Sequence, residues 1–206
     1  MPEPALSSPI LAGENVDLRR NNARLWRLLY AAMFAYRCVL SVLGKTVVAR
    51  ITLLGDASQY QSGLVSGELS SRGLDAAIDS NRQVATELTE LVGAIFHSMF
   101  GGSPIMINIG FQTIAFVGIV VLLRQLDPRK RGWVFGLMML PSFALWSSVA
   151  GKEAIVVFAM GIIGAAIVRL YDHRRVITVG LVAALSIIYL FRDHFLPAIL
   201  FILVGT

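Results

Sequence analysis

Lys152 and Glu153 are adjacent charged residues in an otherwise apolar part of the chain. The 36 residues from Trp133 to Val168 contain no other ionisable side chain. A charge at the centre of a membrane-spanning helix costs about 2.5–3.5 kcal/mol on the insertion scale, so a charge in such a setting predicts a functional site. Because adjacent helical residues do not face each other, each charge is expected to find a different partner.

The residues before this pair predict a break between two helices. Ser147 and Ser148 loosen a helix, Trp146 suits the membrane interface, and Gly151 would precede the start of a new helix. The unpaired N–H groups at a helix start attract anions, and Lys152 adds a full positive charge there. The pattern therefore predicts a lipid-linked phosphate as the ligand.

Composition excludes an ordinary soluble domain. The 206 residues are 56% hydrophobic and 15% charged, with a mean hydropathy of +0.70, whereas soluble domains are roughly 45–50% apolar and 25% charged. The formal charge is +5, but the basic residues form short clusters between apolar runs, which indicates membrane orientation and not nucleic-acid binding. The single cysteine, Cys38, allows neither an intramolecular disulfide nor a structural zinc site.

The apolar runs predict an all-α fold, a polytopic bundle of transmembrane helices. Each crossing needs about 20 apolar residues. We expect a cytoplasmic segment, 1–24, and one transmembrane domain, 25–206, with about five spans and a partial sixth. The predicted spans lie near 25–43, 105–123, 133–150, 154–170 and 176–191, and the incomplete one covers 195–206.

The longest loop, 45–104, is predicted to be external and to contain a helix from Leu74 onward. Apolar residues recur at helical spacing between Leu88 and Phe96, and Gly101-Gly102-Ser103-Pro104 would end the helix. About ten apolar residues are too few for a crossing. We therefore expect this helix to lie at the membrane surface or to pack on the bundle.

The distribution of Lys and Arg predicts that the N-terminus is cytoplasmic. In that orientation the cytoplasmic side carries eleven basic residues and the external side carries six. The cytoplasmic ones are Arg19, Arg20, Arg24, Arg27, Arg124, Arg129, Lys130, Arg131, Arg169, Arg174 and Arg175. The external ones are Lys45, Arg50, Arg72, Arg82, Lys152 and Arg192. Lys152 and Glu153 then face the outside.

Several short motifs together resemble a known group of proteins. These are Gly55-Asp56 and Tyr60 in the external loop, the block Leu140-Pro141-Ser142 to Trp146-Ser147-Ser148 and Gly151-Lys152-Glu153, and Arg192 after the fifth span. This set resembles polytopic bacterial membrane proteins of surface-polysaccharide synthesis, including polymerase-like proteins and the C-type glycosyltransferase superfamily. Such proteins use polyprenyl-phosphate-linked sugars at the outer face of the inner membrane. They are about twice as long, so this chain resembles their N-terminal half.

The resemblance implies roles for individual residues. Asp56 would act as catalytic base or, if a divalent cation is required, as its ligand, and Glu153 would be a second acid or would orient Lys152. Lys152 and Arg192 would neutralise the phosphate leaving group, and Tyr60 would contact the sugar. The remaining predicted substrate-binding residues are Ser147, Ser148 and His194.

Structural roles remain open beside these functional ones. Asp56 is also suited to shape a turn, the Lys152-Glu153 pair to snorkel at a helix end, and Arg192 to anchor the chain at the interface. Arg37, inside the first span, is expected to pack against a neighbour's carbonyls or to snorkel. Asn108 and Gln112, one turn apart, are predicted to hydrogen-bond between helices, and Gly161 and Gly164 to allow close helix packing.

Three functional classes remain open at this level. The first is a sugar transferase or polymerase acting on polyprenyl-linked substrates. The second is a non-catalytic membrane subunit, or a half-protein, that needs a partner to supply further helices in a polysaccharide synthesis or export assembly. The third is a transporter element, for which no internal inverted repeat is evident.

Overall fold

The computed structural model describes residues 9–44, 81–147, 151–171, 179–192 and 195–205, and every regular element in these ranges is helical. The helices are α1 (Pro9–Leu43), α2 (Asn81–Met99), α3 (Pro104–Gln125), α4 (Pro128–Met138), α5 (Pro141–Trp146), α6 (Lys152–Tyr171), α7 (Val179–Arg192) and α8 (Leu196–Gly205). The predicted all-α class is confirmed for this part of the chain. The predictions for residues 45–80, which include the start of the external helix, lie outside the described residues.

Within the described residues, three helices are long and apolar enough to cross a membrane. They are Asn22–Leu43 within α1, all of α3, and all of α6, while α7 is apolar but only 14 residues long. The predicted spans near 105–123 and 154–170 match α3 and α6 to within two residues at each end. By composition and helix length, the chain is a helical membrane protein.

The chain divides into two compact units, Met1–Ala35 and Tyr36–Thr206. The first contains the N-terminal part of α1, where the rings of Trp26 and Tyr30 lie 5.8 Å apart between centroids. The second unit contains the last turns of α1 and all the other helices. The predicted functional residues that are described all belong to this second unit.

The C-terminal end of α2 is closed by two glycines. Gly101 and Gly102 have positive φ angles of 61° and 79°, and the Gly102 N–H donates to the His97 carbonyl at 3.0 Å. This six-residue closure caps the exposed carbonyls of the last helical turn, and glycine adopts the left-handed backbone without steric cost. Pro104 then starts α3 at a position where its missing N–H is not needed. The predicted end of this helix is therefore confirmed.

The predicted span near 133–150 is not one continuous helix, because the structure has two short helices in the described part of this region. α4 ends at Met138 and α5 begins at Pro141, with Leu140 in an extended conformation at φ −56° and ψ 128°. Proline disfavours the helical conformation for the residue before it, and it has no N–H to continue the hydrogen-bond ladder. The break is thus a local consequence of Pro141.

α3 and α6 run parallel and approach each other at two glycines. A side-chain carbon added to Gly161 would lie 2.8 Å from the Gly118 Cα, and closer still to the Gly118 carbonyl. Further along both helices, Gly164 faces Leu122, and Arg169 Nε donates to Gln125 Oε1 at 3.1 Å. The contacts advance in the same direction along both helices, and the predicted role of Gly161 and Gly164 in close packing is confirmed.

The parallel arrangement has a consequence for the segment that joins the two helices. The contact between the two helices extends over about 10 Å from Gly118 to Gln125, at 1.5 Å per residue. The last residues of α3 therefore lie beside the end of α6, far from the residue at which α6 begins. The chain must therefore return along the bundle before α6 begins, and the described helices α4 and α5 belong to this connection.

α7 folds back antiparallel on α6, and α2 covers the start of the bundle. Ala159 and Ile163 share an apolar cluster with Leu181 and Ile188, while the end of α7 reaches the first turn of α6. A second cluster combines residues of α2, α3, α6 and α7: Ala85, Ile107, Phe111, Ala115, Ala154, Ile155 and Phe191. The start of α6 and the end of α7 therefore meet at one end of the bundle.

Candidate functional site

A small cavity lies where α6 begins and α7 ends. Its volume is about 150 Å³, it is partly open to the outside, and the atoms exposed inside it are apolar. The lining residues come from α5, α6 and α7 and the residue after α5: Phe143, Trp146, Ser147, Glu153, Val156, Val157 and Arg192. Three of the predicted site residues, Ser147, Glu153 and Arg192, are thus brought to one cavity.

Glu153 and Arg192 form an ion pair at this cavity. An Arg192 terminal nitrogen donates to Glu153 Oε1 at 3.1 Å, and the side chains of Arg192 and Glu153 are 42% and 44% exposed. Glu153 belongs to the first turn of α6, where a carboxylate suits the helix dipole. Arg192 is the last residue of α7, where a cation is equally favoured. Both helix ends therefore support the pair.

Lys152 is the first residue of α6, directly after Gly151, as the sequence predicts. It is partly exposed and is the sequence neighbour of the lining residue Glu153, but it does not line the cavity itself. The partner that the structure shows for Glu153 lies 39 positions away, which agrees with the expectation that adjacent helical residues do not face each other.

Ser147 connects the cavity to a buried arginine. Its Oγ accepts a hydrogen bond from a terminal nitrogen of Arg37 and donates one to the Phe143 carbonyl at 2.7 Å. Ser147 itself is only 2% exposed. The Ser147 hydroxyl therefore both donates and accepts a hydrogen bond within the protein. Its predicted role was contact with substrate.

Arg37 is fully buried and is held by groups from three other parts of the chain. Besides Ser147, its Nε donates to Gln112 Oε1 at 3.0 Å, and its other terminal nitrogen lies 3.5 Å from the Met138 carbonyl. The guanidinium carbon also lies 5.8 Å from the centre of the Phe143 ring. Packing against a neighbour's carbonyl is confirmed, and snorkelling is wrong because the side chain does not reach the surface.

Sequence reasoning did not connect Arg37 with the cavity. The available signal was a lone arginine inside a predicted span together with Gln112 in the next span. The prediction that Gln112 hydrogen-bonds between helices is confirmed by its contact with Arg37. Asn108, one turn earlier, is also buried. Nothing in the sequence indicated that Ser147 would complete the set.

Four predicted site residues lie outside the described residues: Asp56, Tyr60, Ser148 and His194. Within the described ranges, no group of three or more His, Cys, Asp or Glu side chains is arranged to hold a metal ion. The described site therefore consists of an apolar cavity, an ion pair beside it and a buried arginine behind it.

The comparisons with known proteins add no further information. Neither the family models, nor the curated proteins, nor the solved structures contain a match to this chain. Arguments about function therefore depend on the chemistry of the site.

Among the described charged residues at and near the cavity, cations outnumber anions. Lys152, Arg192 and the buried Arg37 are cationic, whereas Glu153 is the described anion in contact with the cavity. The N-terminal N–H groups of α6 add partial positive charge at the same place. These described charges favour an anion over a cation at this place, and Glu153 is already paired with Arg192.

Proposed function

We propose that this protein binds a polyprenyl-phosphate-linked sugar at the cavity and takes part in transfer of the sugar at the outer face of the bacterial inner membrane. The observation that carries the proposal is an apolar cavity directly beside Arg192 and the start of α6. A ligand that combines a hydrocarbon chain with a phosphate matches this pair of environments.

The size of the cavity fits one isoprene unit of such a ligand, the unit that carries the phosphate. An apolar cavity of about 150 Å³ holds a molecule of the size of benzene. A five-carbon isoprene unit is of similar size, and Phe143, Val156 and Val157 would surround it. The phosphate attached to this unit would then reach Arg192, Lys152 and the N–H groups of α6. The rest of the chain would extend into the lipid.

The proposed reaction is a displacement at the sugar carbon bonded to phosphate. An acceptor hydroxyl oxygen forms a bond to that carbon, the bond from carbon to the phosphate oxygen breaks, and its electron pair stays on the phosphate. Arg192 and Lys152 stabilise the charge that develops there. The resemblance assigns the hydroxyl proton to Asp56, since a carboxylate can act as general base.

Replacing the cationic residues tests phosphate binding. We expect Arg192→Gln and Lys152→Met each to weaken binding of polyprenyl phosphate to the purified protein at least tenfold, because a hydrogen bond to a charged group contributes about 1.5–3 kcal/mol. Arg124→Gln is the matched control, since it removes the same charge at the far end of α3. Unchanged affinity in a correctly inserted Arg192→Gln protein would rule out this phosphate site.

Two further variants separate the lipid site and the transfer step. Val157→Phe should fill the cavity and weaken binding of polyprenyl phosphate while leaving the protein folded. Asp56→Asn should keep binding but abolish polymer output in cells. If the wild-type protein binds polyprenyl phosphate and Asp56→Asn leaves polymer output undiminished, the non-catalytic subunit becomes the better account of the chain.

A further inference from the structure

Arg37 lies behind the cavity and contacts two of its lining residues. It donates a hydrogen bond to Ser147, and its guanidinium carbon lies 5.8 Å from the centre of the Phe143 ring. Both residues belong to the cavity wall. Because Arg37 is fully buried, it acts on a ligand only through these neighbours.

The hydrogen-bond partners of Arg37 are far apart in sequence. Gln112 lies 75 residues away in α3, Met138 lies 101 residues away at the end of α4, and Ser147 lies 110 residues away just after α5. Met138 and Ser147 stand on either side of the break at Pro141. One side chain thus holds both halves of the interrupted helix against α3.

The three contacts need the shape of a guanidinium as well as its charge. Its planar group presents several N–H donors in fixed directions, whereas the ammonium of lysine is a compact charge. The three acceptors are an amide oxygen, a carbonyl oxygen and a hydroxyl oxygen, and all are neutral. Burial of a cation among neutral groups is costly unless its hydrogen bonds are made.

We infer that Arg37 is a positioning residue of the cavity: it holds the end of α5, and with it Trp146 and Ser147, in the cavity wall. The effect on ligand binding rests on the proposed function, but the positioning itself does not. Trp146 is 59% exposed and borders the cavity, so its fluorescence reports the arrangement of this wall.

The experiment uses Trp146 as the sole tryptophan, in a full-length protein carrying Trp26→Phe and Trp133→Phe. We expect Arg37→Met to change the acrylamide quenching constant of Trp146 at least twofold. Arg37→Lys should shift it in the same direction, because lysine keeps the charge but not the three contacts. Arg169→Met is the matched control, since the Nε of Arg169 also donates to a glutamine, Gln125, at 3.1 Å, but at the other end of the bundle.

Thermal unfolding of each variant shows whether it is folded. Binding of polyprenyl phosphate to the wild-type protein is measured in a separate experiment. Quenching of Trp146 that is equal in wild type and folded Arg37→Met would overturn the inference, as would an equal change in Arg169→Met. If Arg37→Met does not fold, Gln112→Leu removes one of the same contacts and must reproduce the change. Failure of the wild-type protein to bind the lipid contradicts the proposed function alone, because the quenching result stands without a ligand.

Discussion

The charged residues of the site have different surroundings, and these determine what each charge can do. Arg192 and Glu153 are both more than 40% exposed, so their ion pair is screened and contributes little to stability, on the order of 0.2–1 kcal/mol. Such a pair can open for a ligand at small cost. Arg37 is inaccessible, and removal of its partners would leave an unsatisfied buried charge. The exposed pair therefore suits binding, and the buried arginine suits positioning.

Glu153→Gln is expected to increase the affinity of the protein for polyprenyl phosphate. Glu153 competes with the ligand for Arg192, and removal of one charge at about 4 Å in water changes the interaction by about 1 kcal/mol, which corresponds to about fivefold in the dissociation constant. Titration of the purified variant with polyprenyl phosphate measures this effect.

Asp127→Asn, which removes one negative charge at the start of α4, is the control for Glu153→Gln and should leave the affinity unchanged. Weaker binding in the Glu153→Gln variant would contradict competition and would indicate instead that Glu153 positions Arg192, its partner in the ion pair, for the phosphate. A combined result of tighter binding and lost sugar transfer would assign Glu153 a role in the reaction as well.

The helices are positioned by glycine contacts and by a proline break. Gly118 and Gly161 bring the backbones of α3 and α6 together, so that the start of α6 is fixed relative to the rest of the bundle. Pro141 interrupts the returning segment, and the turn at Met139 and Leu140 lets Arg37 reach the Met138 carbonyl. In membranes, helix association depends on such close packing, because lipid is as apolar as the helix surface.

Gly161→Ala is expected to lower the free energy of unfolding of the bundle by about 1–3 kcal/mol, because the added methyl group would collide with the backbone of Gly118. Gly164→Ala should cost less, since its new methyl group would lie 3.1 Å from the flexible end of Leu122. Thermal unfolding in detergent micelles would rank the two variants.

Gly136→Ala provides the control for this series. A methyl group at Gly136 has no neighbour within 4 Å, and alanine favours the helix over glycine by about 1 kcal/mol. Its stability should be unchanged or slightly higher. Equal effects of alanine at Gly136 and Gly161 would contradict the close helix contact.

The two ends of the helical bundle differ in chemistry. One end carries the cavity with Glu153 and Arg192, and the other carries a basic group: Arg124, Arg129, Lys130, Arg131 and Arg169. α6 joins the two ends over 20 residues, which is about 30 Å at 1.5 Å per residue and equals the thickness of the hydrocarbon layer. The positive-inside rule then favours an external cavity.

Cysteine labelling in intact cells tests this orientation. In a Cys38→Ser background, a membrane-impermeant maleimide should label Ser98→Cys, near the cavity end, and should label Lys130→Cys only after the cells are permeabilised. Both positions are exposed in the structure. The reverse pattern would place the cavity in the cytoplasm and would exclude transfer at the outer face.

Local patterns in the sequence determined most of the helices. The ends of α3 and α6, the glycine cap of α2 and the helix start after Gly151 all follow from hydropathy, proline and glycine within a few residues. The break at Pro141 was also encoded locally, but it was hidden because the apolar run continues through it. Hydropathy alone does not distinguish one long helix from two short ones.

Only the tertiary structure decided how the charged residues combine. The sequence by itself determined that Lys152, Glu153 and Arg192 stand at helix ends and that Arg37 interrupts an apolar span. It did not determine that Glu153 pairs with Arg192, 39 residues away, or that Arg37 reaches Ser147, 110 residues away. The physical reason is that side-chain contacts between helices depend on the direction and rotation of each packed helix, and these are set by contacts such as that between Gly118 and Gly161.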